Sequence, residues 1–229
     1  GETPTINSLA ANFIRAFGPD EWHERWAEIA LAELRRTGFN TVANWSEWEV
    51  AARPPGGTAP DVPSAVPYVR PLHPRLPTTP LVYRDFPDVF DERFACDAAA
   101  FAEDLRHTAD DPALIGYFLM NEPTWGFAQE TPAAGMLYNA PPCPGRRALA
   151  AFLRERYGGD EALAAAWGLP VTLDTVAEGE WHAPLGETAQ ADLADFSAVM
   201  VKRFFEGLSD ACRAVDPNHL NLGVRYYTV

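Results

Sequence analysis

Asp111-Pro112-Ala113-Leu114-Ile115-Gly116-Tyr117-Phe118-Leu119-Met120-Asn121-Glu122-Pro123-Thr124-Trp125-Gly126 is the stretch that decides the fold. An apolar run of seven residues, Leu114 to Met120, stops on an amide, a carboxylate and a proline. A short apolar run bounded by turn residues fits a strand buried on both faces, as in a parallel sheet. Ending on Asn121-Glu122, such a strand carries a hydrogen-bonding amide and a titratable acid at its C-terminal tip, where α/β sheets place their chemistry. Pro123 lacks the N–H to continue a ladder and ends the strand. Trp125 sets an apolar face beside the acid.

Working outward, the surrounding text alternates helix and strand. Residues 1–18 read as a mixed lead-in. Gly18-Pro19-Asp20-Glu21 starts a helix, with Pro at the first helical position and acids in the first turn. Trp22, Trp26, Ile29, Ala30 and Leu34 recur at helical spacing, and Gly38 closes that helix after Arg35-Arg36. A strand is predicted over Phe39 to Asn44, with Trp45 and Trp48 just past its tip. These two tryptophans either pack the loop or offer flat faces for a ligand to stack on. Residues 51–80 hold nine prolines without a period, so they read as a long loop with no helix or central strand; a loop of that length is expected to wall a cleft.

Leu81-Val82-Tyr83 reads as a short strand. Asp88 and Asp91 have metal-ligand chemistry, but Asp91 reads better as a cap for the helix over Glu92 to Thr108. Past the central strand, residues 127–144 read as a second long loop, with Phe127, Met136 and Tyr138 as candidate ligand contacts. Helices follow over Gly145–Tyr157 and Asp160–Trp167, and then a turn-rich patch over 169–190. From Ala191 a long helix carries Leu193, Phe196, Met200, Phe204, Leu208, Ala211 and Val215 on one stripe, which is core. Leu220–Val224 is the last strand.

Composition narrows the function classes. A net charge of −14 argues against nucleic acid or anionic membrane as partner, since both call for basic patches. One lysine stands against 17 arginines, a coding bias and not a mechanism. No apolar segment approaches the ~18 residues of a membrane-spanning helix, and no signal-peptide pattern opens the chain. Cys96, Cys143 and Cys212 lack metal-like spacing and read as buried free thiols. No phosphate-cradling glycine loop, metal motif or nucleophile-elbow sequence is present, and no cofactor is implied. His182 and His219 read as structural.

The Asn121-Glu122-Pro123 tip after Ile-Gly-Tyr-Phe resembles the fourth barrel strand of retaining glycoside hydrolases of the large (β/α)8 clan, clan A. The β-agarase and β-galactosidase branches are most similar. Gly38-Phe39-Asn40-Thr41-Val42-Ala43-Asn44-Trp45-Ser46 is similar to their second strand, Phe86-Pro87-Asp88-Val89-Phe90-Asp91 to the loop after their third, and Asp216-Pro217-Asn218-His219-Leu220-Asn221-Leu222-Gly223-Val224-Arg225 to the approach to their fifth. The segments stand in the family's order over residues 12 to 229.

The resemblance implies an α/β fold of (β/α)8 TIM-barrel type, present as a partial barrel of strands two to five within one catalytic domain over residues 1–229. It implies that Glu122 is the acid/base catalyst and that Asn121 contacts the sugar 2-hydroxyl. Asn44, Trp45, Trp48, Trp125, Arg225 and Tyr226 are the accompanying candidates for substrate binding. Arg225 either orients a carboxylate, bonds sugar hydroxyls through its fork of donors, or forms a structural ion pair.

Retaining hydrolysis needs a second carboxyl group about 5–5.5 Å from the first. In the clan it lies at the tip of strand seven, so the chain is expected to be a fragment or to pair with a second chain that completes the barrel. The expected partner is an oligo- or polysaccharide. A polysaccharide substrate implies a secreted or periplasmic protein, a smaller one a cytoplasmic protein. The alternative is a non-catalytic carbohydrate-binding module that keeps the cleft and aromatics without turnover.

Overall fold

The computed structural model describes residues 7–52 and 66–226. In chain order the elements are α1 (Ser8–Phe17), α2 (Trp22–Arg36), β1 (Tyr68–Pro71), β2 (Leu81–Tyr83), β3 (Phe86–Pro87), α3 (Arg93–Ala102), β4 (Leu114–Phe118), β5 (Met120–Asn121), α4 (Pro132–Asn139), α5 (Pro144–Tyr157), α6 (Asp160–Trp167), α7 (Leu173–Glu178), α8 (Glu187–Val215), β6 (Leu220–Asn221) and β7 (Val224–Arg225). They fall into two compact units, Gly1–Arg70 with Asp111–Gly116, and Pro71–Asp110 with Tyr117–Val229.

In the first unit the expected lead-in is a helix. The Asn7 side chain accepts from the Ala10 amide and caps α1, which buries no residue. In α2 the buried positions are Ala27 and Leu31, and Leu34 of the predicted stripe packs against the same core, while Ile29 is half exposed. The predicted strand over Phe39 to Asn44 contracts to a parallel bridge, Val42 opposite Tyr68. Strands are stabilised by cross-strand and same-face packing, and Phe39 lies in solvent. Leu31, Val42, Ala51, Val66, Tyr68, Ala113 and Leu114 form this unit's core.

β1 overturns the expectation that 51–80 contains no central strand; residues 53–65 of that stretch lie outside the described residues. The Tyr68 amide donates to the Ala113 carbonyl and the Leu72 amide to Phe118, both at 2.9 Å. The Val69 amide points the other way, to Val42. Alternation therefore turns the N–H that Pro71 lacks away from β4, where no ladder bond is required of it.

In the second unit the parallel ladder continues: Leu222 donates to Tyr117, Leu119 to Gly223, and β5 pairs with β7 in parallel. The strand order is β1-β4-β6. Gly223, at φ 79°, interrupts the predicted last strand between β6 and β7. Leu81–Tyr83 does not join this ladder. It folds back antiparallel on β3 through Arg84, whose φ is 50°, and Leu81 lies in solvent.

The helices supply most of the second core. Leu193, Phe196, Met200, Phe204, Leu208 and Cys212 are buried along α8, and both α3 and α4 pack on it. The buried Asp192 carboxylate on α8 accepts from the Tyr157 hydroxyl and the Trp167 indole, both at 2.7 Å, and pairs with Arg156, so α5 and α6 are tied to α8. Helices α4 and α7 occupy stretches expected to be loop. Thr131 caps α4 ahead of Pro132, and Thr172 caps α7. Of the three thiols Cys96 is exposed, against expectation. Burial pushes the Cys143 thiol up to about 11 and Cys212 to about 12.

Candidate active site

Glu122 is the first residue past β5, and its φ is 44°. That left-handed conformation is uncommon for a residue with a long side chain and persists only where its surroundings impose it. Arg225, at the end of the neighbouring parallel strand β7, does so. Its carbonyl accepts the Glu122 amide at 2.9 Å, and its guanidinium pairs with the Glu122 carboxylate. Both side chains are partly open to solvent, Glu122 by 31% and Arg225 by 42%. A ligand can therefore reach the carboxylate.

Asn121 pairs with Arg225 across the two strands. Its side-chain Oδ1 is buried with no hydrogen-bond partner among the described residues, and so is the indole Nε1 of Trp125. Buried polar atoms are nearly always satisfied, so two orphans at one strand end need an explanation.

The turn after Glu122 is held by a residue that sequence reading passed over. The Asp85 carboxylate accepts from the Thr124 amide and hydroxyl and from the Trp125 amide, at 2.9, 2.5 and 2.9 Å. This anchors a 3-10 turn over Thr124–Phe127 and fixes the exit from the strand tip. Asp85 was findable only as an acid at a strand end. Its partners are 39 and 40 residues away.

Trp125 is 8% exposed, among the rings of Phe86, Phe205 and Tyr226 at 5.2, 6.4 and 6.3 Å. That burial leaves little of its face for a ligand. Tyr226 covers Gly126: a Cβ there would come within 3.3 Å of its ring. Burial raises the Tyr226 pKa.

The remaining candidates lie in the first unit. Asn44 has its Oδ1 buried without a partner among the described residues. Trp45 follows at φ 66°, a residue 65% exposed. Trp48 stacks on Tyr68 at 5.6 Å, with the Arg70 guanidinium 4.7 Å from its ring centre, packing that favours the loop role over sugar stacking. The three positive-φ residues other than glycine among the described residues, Trp45, Arg84 and Glu122, each follow a strand or bridge by one to three positions. Such strain has no sequence signature.

The acids considered as metal ligands are otherwise engaged. Asp91 accepts from the Arg93 amide and pairs with its guanidinium, which holds the carboxyl down at about 2. Asp88 accepts from the Phe90 and Gly145 amides. His219 bonds Asp216, and His182 lies 3.4 Å from Glu180 on the surface. Met136, expected as a substrate contact, is fully buried, whereas Phe127 and Tyr138 are exposed.

No protein-family profile matches the chain. Among curated proteins, β-agarase A of Vibrio sp. (strain JT0107) is 28% identical over 227 residues, covering 88% of this chain and 21% of that protein. β-Agarase B of the same strain is 25% identical over 234 residues, covering 94% and 23%. The chain thus spans about a fifth of the length of these relatives. Among solved structures, an exo-β-agarase superposes with a TM-score of 0.78 at 24% identity, over 95% of this chain and 31% of that one. A β-galactosidase from the Antarctic haloarchaeon Halorubrum lacusprofundi gives 0.55 at 16% identity, over 90% and 35%. At these identities the structural likeness is one of α/β fold. The relatives are β-agarases, and the neighbours include agarases and a β-galactosidase, the two branches that the sequence resembles.

Proposed function

We propose that this chain supplies the proton-donor half of a retaining β-glycosidase of the β-agarase and β-galactosidase type, on the second to fifth strands of a (β/α)8 barrel. The observation that carries the reading is Glu122, a solvent-reachable carboxyl group held in a strained conformation at a parallel strand tip by Arg225 of the next strand. Agarase relatives that match the chain along nearly its whole length support it.

In this reading the Glu122 carboxyl gives its proton to the glycosidic oxygen as the bond from that oxygen to the anomeric carbon breaks. A second carboxylate attacks the anomeric carbon and forms a glycosyl ester. Glu122, now ionised, takes a proton from water, whose oxygen displaces the ester carboxylate. The second carboxylate comes from the rest of a longer protein or from a second chain, about 5–5.5 Å from Glu122. The orphaned Asn121 Oδ1 accepts from the sugar 2-hydroxyl, a bond that strengthens in the transition state, and the Trp125 Nε1 offers a donor. Arg225 fixes the carboxylate's position.

The test is Glu122→Gln in the complete protein. Sugar affinity is expected to persist, while turnover of substrates with poor leaving groups falls by roughly 10²–10⁴-fold. Activated aryl glycosides need no proton and are expected to suffer less in the first step. Full activity of the Gln variant on poor leaving groups overturns the assignment.

A further inference from the structure

A separate cleft of about 800 Å³ opens in the second unit, lined by Tyr83, Arg84, Glu130, Tyr138, Asn139 and Gln190 among others. Its size lies within the range of small-molecule sites, roughly 300–1,000 Å³. One wall is tied to the strand tip: Tyr83 and Arg84 run directly into Asp85, and Asp85 holds the turn after Glu122. The adjoining wall is α4, which packs directly on Tyr83 because Gly135 has no side chain; a Cβ there would sit 2.1 Å from the ring.

The polar groups of the cleft oppose one another in sign and in hydrogen-bonding sense. Arg84 brings a guanidinium and Glu130 a carboxylate, which accepts from the Tyr83 hydroxyl at 2.7 Å. The Asn139 amide nitrogen donates to the Gly135 carbonyl, and that of Gln190 to Leu185, at 2.7 and 2.9 Å. Each amide oxygen is thereby left as an acceptor for a ligand. Tyr138, a residue 39% exposed, adds a ring whose hydroxyl is pinned to the Ala183 carbonyl at 2.9 Å. A pinned aromatic ring contributes contact area at small entropic cost. A charged ligand would meet its own sign at Arg84 or Glu130. A neutral chain of hydroxyls matches both: it donates to the amide and carboxylate oxygens, accepts from the guanidinium, and lays an apolar face on Tyr138.

We propose that this cleft is a sugar subsite that holds units of a neutral polysaccharide chain beyond those flanking the bond cleaved at Glu122, with Tyr138 as its stacking platform. The assignment rests on the glycosidase reading above. Its test is calorimetric titration of the complete protein, carrying Glu122→Gln to keep the sugar intact, with agarose-derived oligosaccharides of increasing length.

Adding Tyr138→Ala is expected to weaken binding of the long oligosaccharides about tenfold, or 1.4 kcal/mol, and to leave a disaccharide unaffected. Tyr138→Phe keeps the ring and is expected to keep the affinity. Gln129→Trp, at an exposed position lining the cleft, is expected to reproduce the loss by filling the space, without touching the core. Equal affinities at every length for both Tyr138→Ala and Gln129→Trp overturn the subsite, as does a loss that is the same for the disaccharide. Failure of every oligosaccharide to bind the Glu122→Gln protein overturns the glycosidase reading itself.

Discussion

Arg225 holds Glu122 at two points: its carbonyl takes the Glu122 amide at 2.9 Å, and its guanidinium takes the carboxylate. The backbone bond belongs to the parallel ladder, in which Asn121 and Arg225 are opposed. The ladder and the ion pair together keep the acid in a left-handed conformation that it would otherwise leave. The position of the candidate proton donor is therefore set by a strand 103 residues further along the chain.

Replacing Arg225 separates positioning from folding. Both side chains of the pair are partly exposed, at 42% and 31%, and such pairs are worth no more than about 1 kcal/mol. Arg225→Ala is thus expected to leave thermal stability almost unchanged while kcat falls about 10²-fold, as expected for a reacting group displaced by ~1 Å. Arg225→Lys keeps the charge without the fork and is expected to recover only part of the rate. Unaltered kcat in Arg225→Ala would remove Arg225 from the site.

Asp85 acts one step further out. Asp85→Ala removes three hydrogen bonds to Thr124 and Trp125. Amide exchange is expected to accelerate at Thr124 and Trp125 and to stay unchanged along α8. An activity loss of about tenfold, larger in kcat than in KM, should accompany it. Exchange at the 3-10 turn no faster than in the parent protein would show that the turn stands without Asp85.

Asp97 makes acid stability measurable. Burial of this 5% exposed carboxyl raises its pKa, but bonds from the hydroxyls and amides of Thr79 and Thr78 lower it by more, and the net shift is downward. A carboxyl that titrates lower in the folded chain than its unfolded value of about 3.9 stabilises fully above that value. The contribution is lost as pH falls through the folded value. Asp91, held at about 2 by Arg93, acts in the same direction. Denaturant titrations of Asp97→Asn are expected to show stability lower by roughly 1–3 kcal/mol at pH 7, with a shallower decline between about pH 5 and 2. A decline as steep as that of the parent protein would show that Asp97 is not among the groups responsible.

What could be read from the sequence was local. The stripe of α8 from Leu193 to Leu208 lies on one helical face wherever the helix packs, so period alone located the core of the second unit. The Leu114–Met120 run ending on Asn121-Glu122 identified a strand and its acid, because apolar length and a proline stop are properties of neighbouring residues, but the expected burial on both faces fails at Ile115, which is 37% exposed. Thr131-Pro132 and Thr172 carried equally local start signals for α4 and α7. There the caps are present within a composition that otherwise reads as loop.

Tertiary structure decided the rest. Pro71 is admitted to β1 because its missing N–H faces away from β4, and a strand's bonding side is settled only once its neighbour is known. Leu81–Tyr83 is apolar throughout while Tyr68–Pro71 holds Arg70 and Pro71, yet pairing, not propensity, sends the first to an antiparallel hairpin and the second to the parallel ladder. The strain at Glu122, the anchoring by Asp85 and the grip of Arg225 join residues tens of positions apart. The order of residues determined which acid stands at the strand tip. Long-range backbone pairing, which no short window of sequence contains, decided how that acid is held.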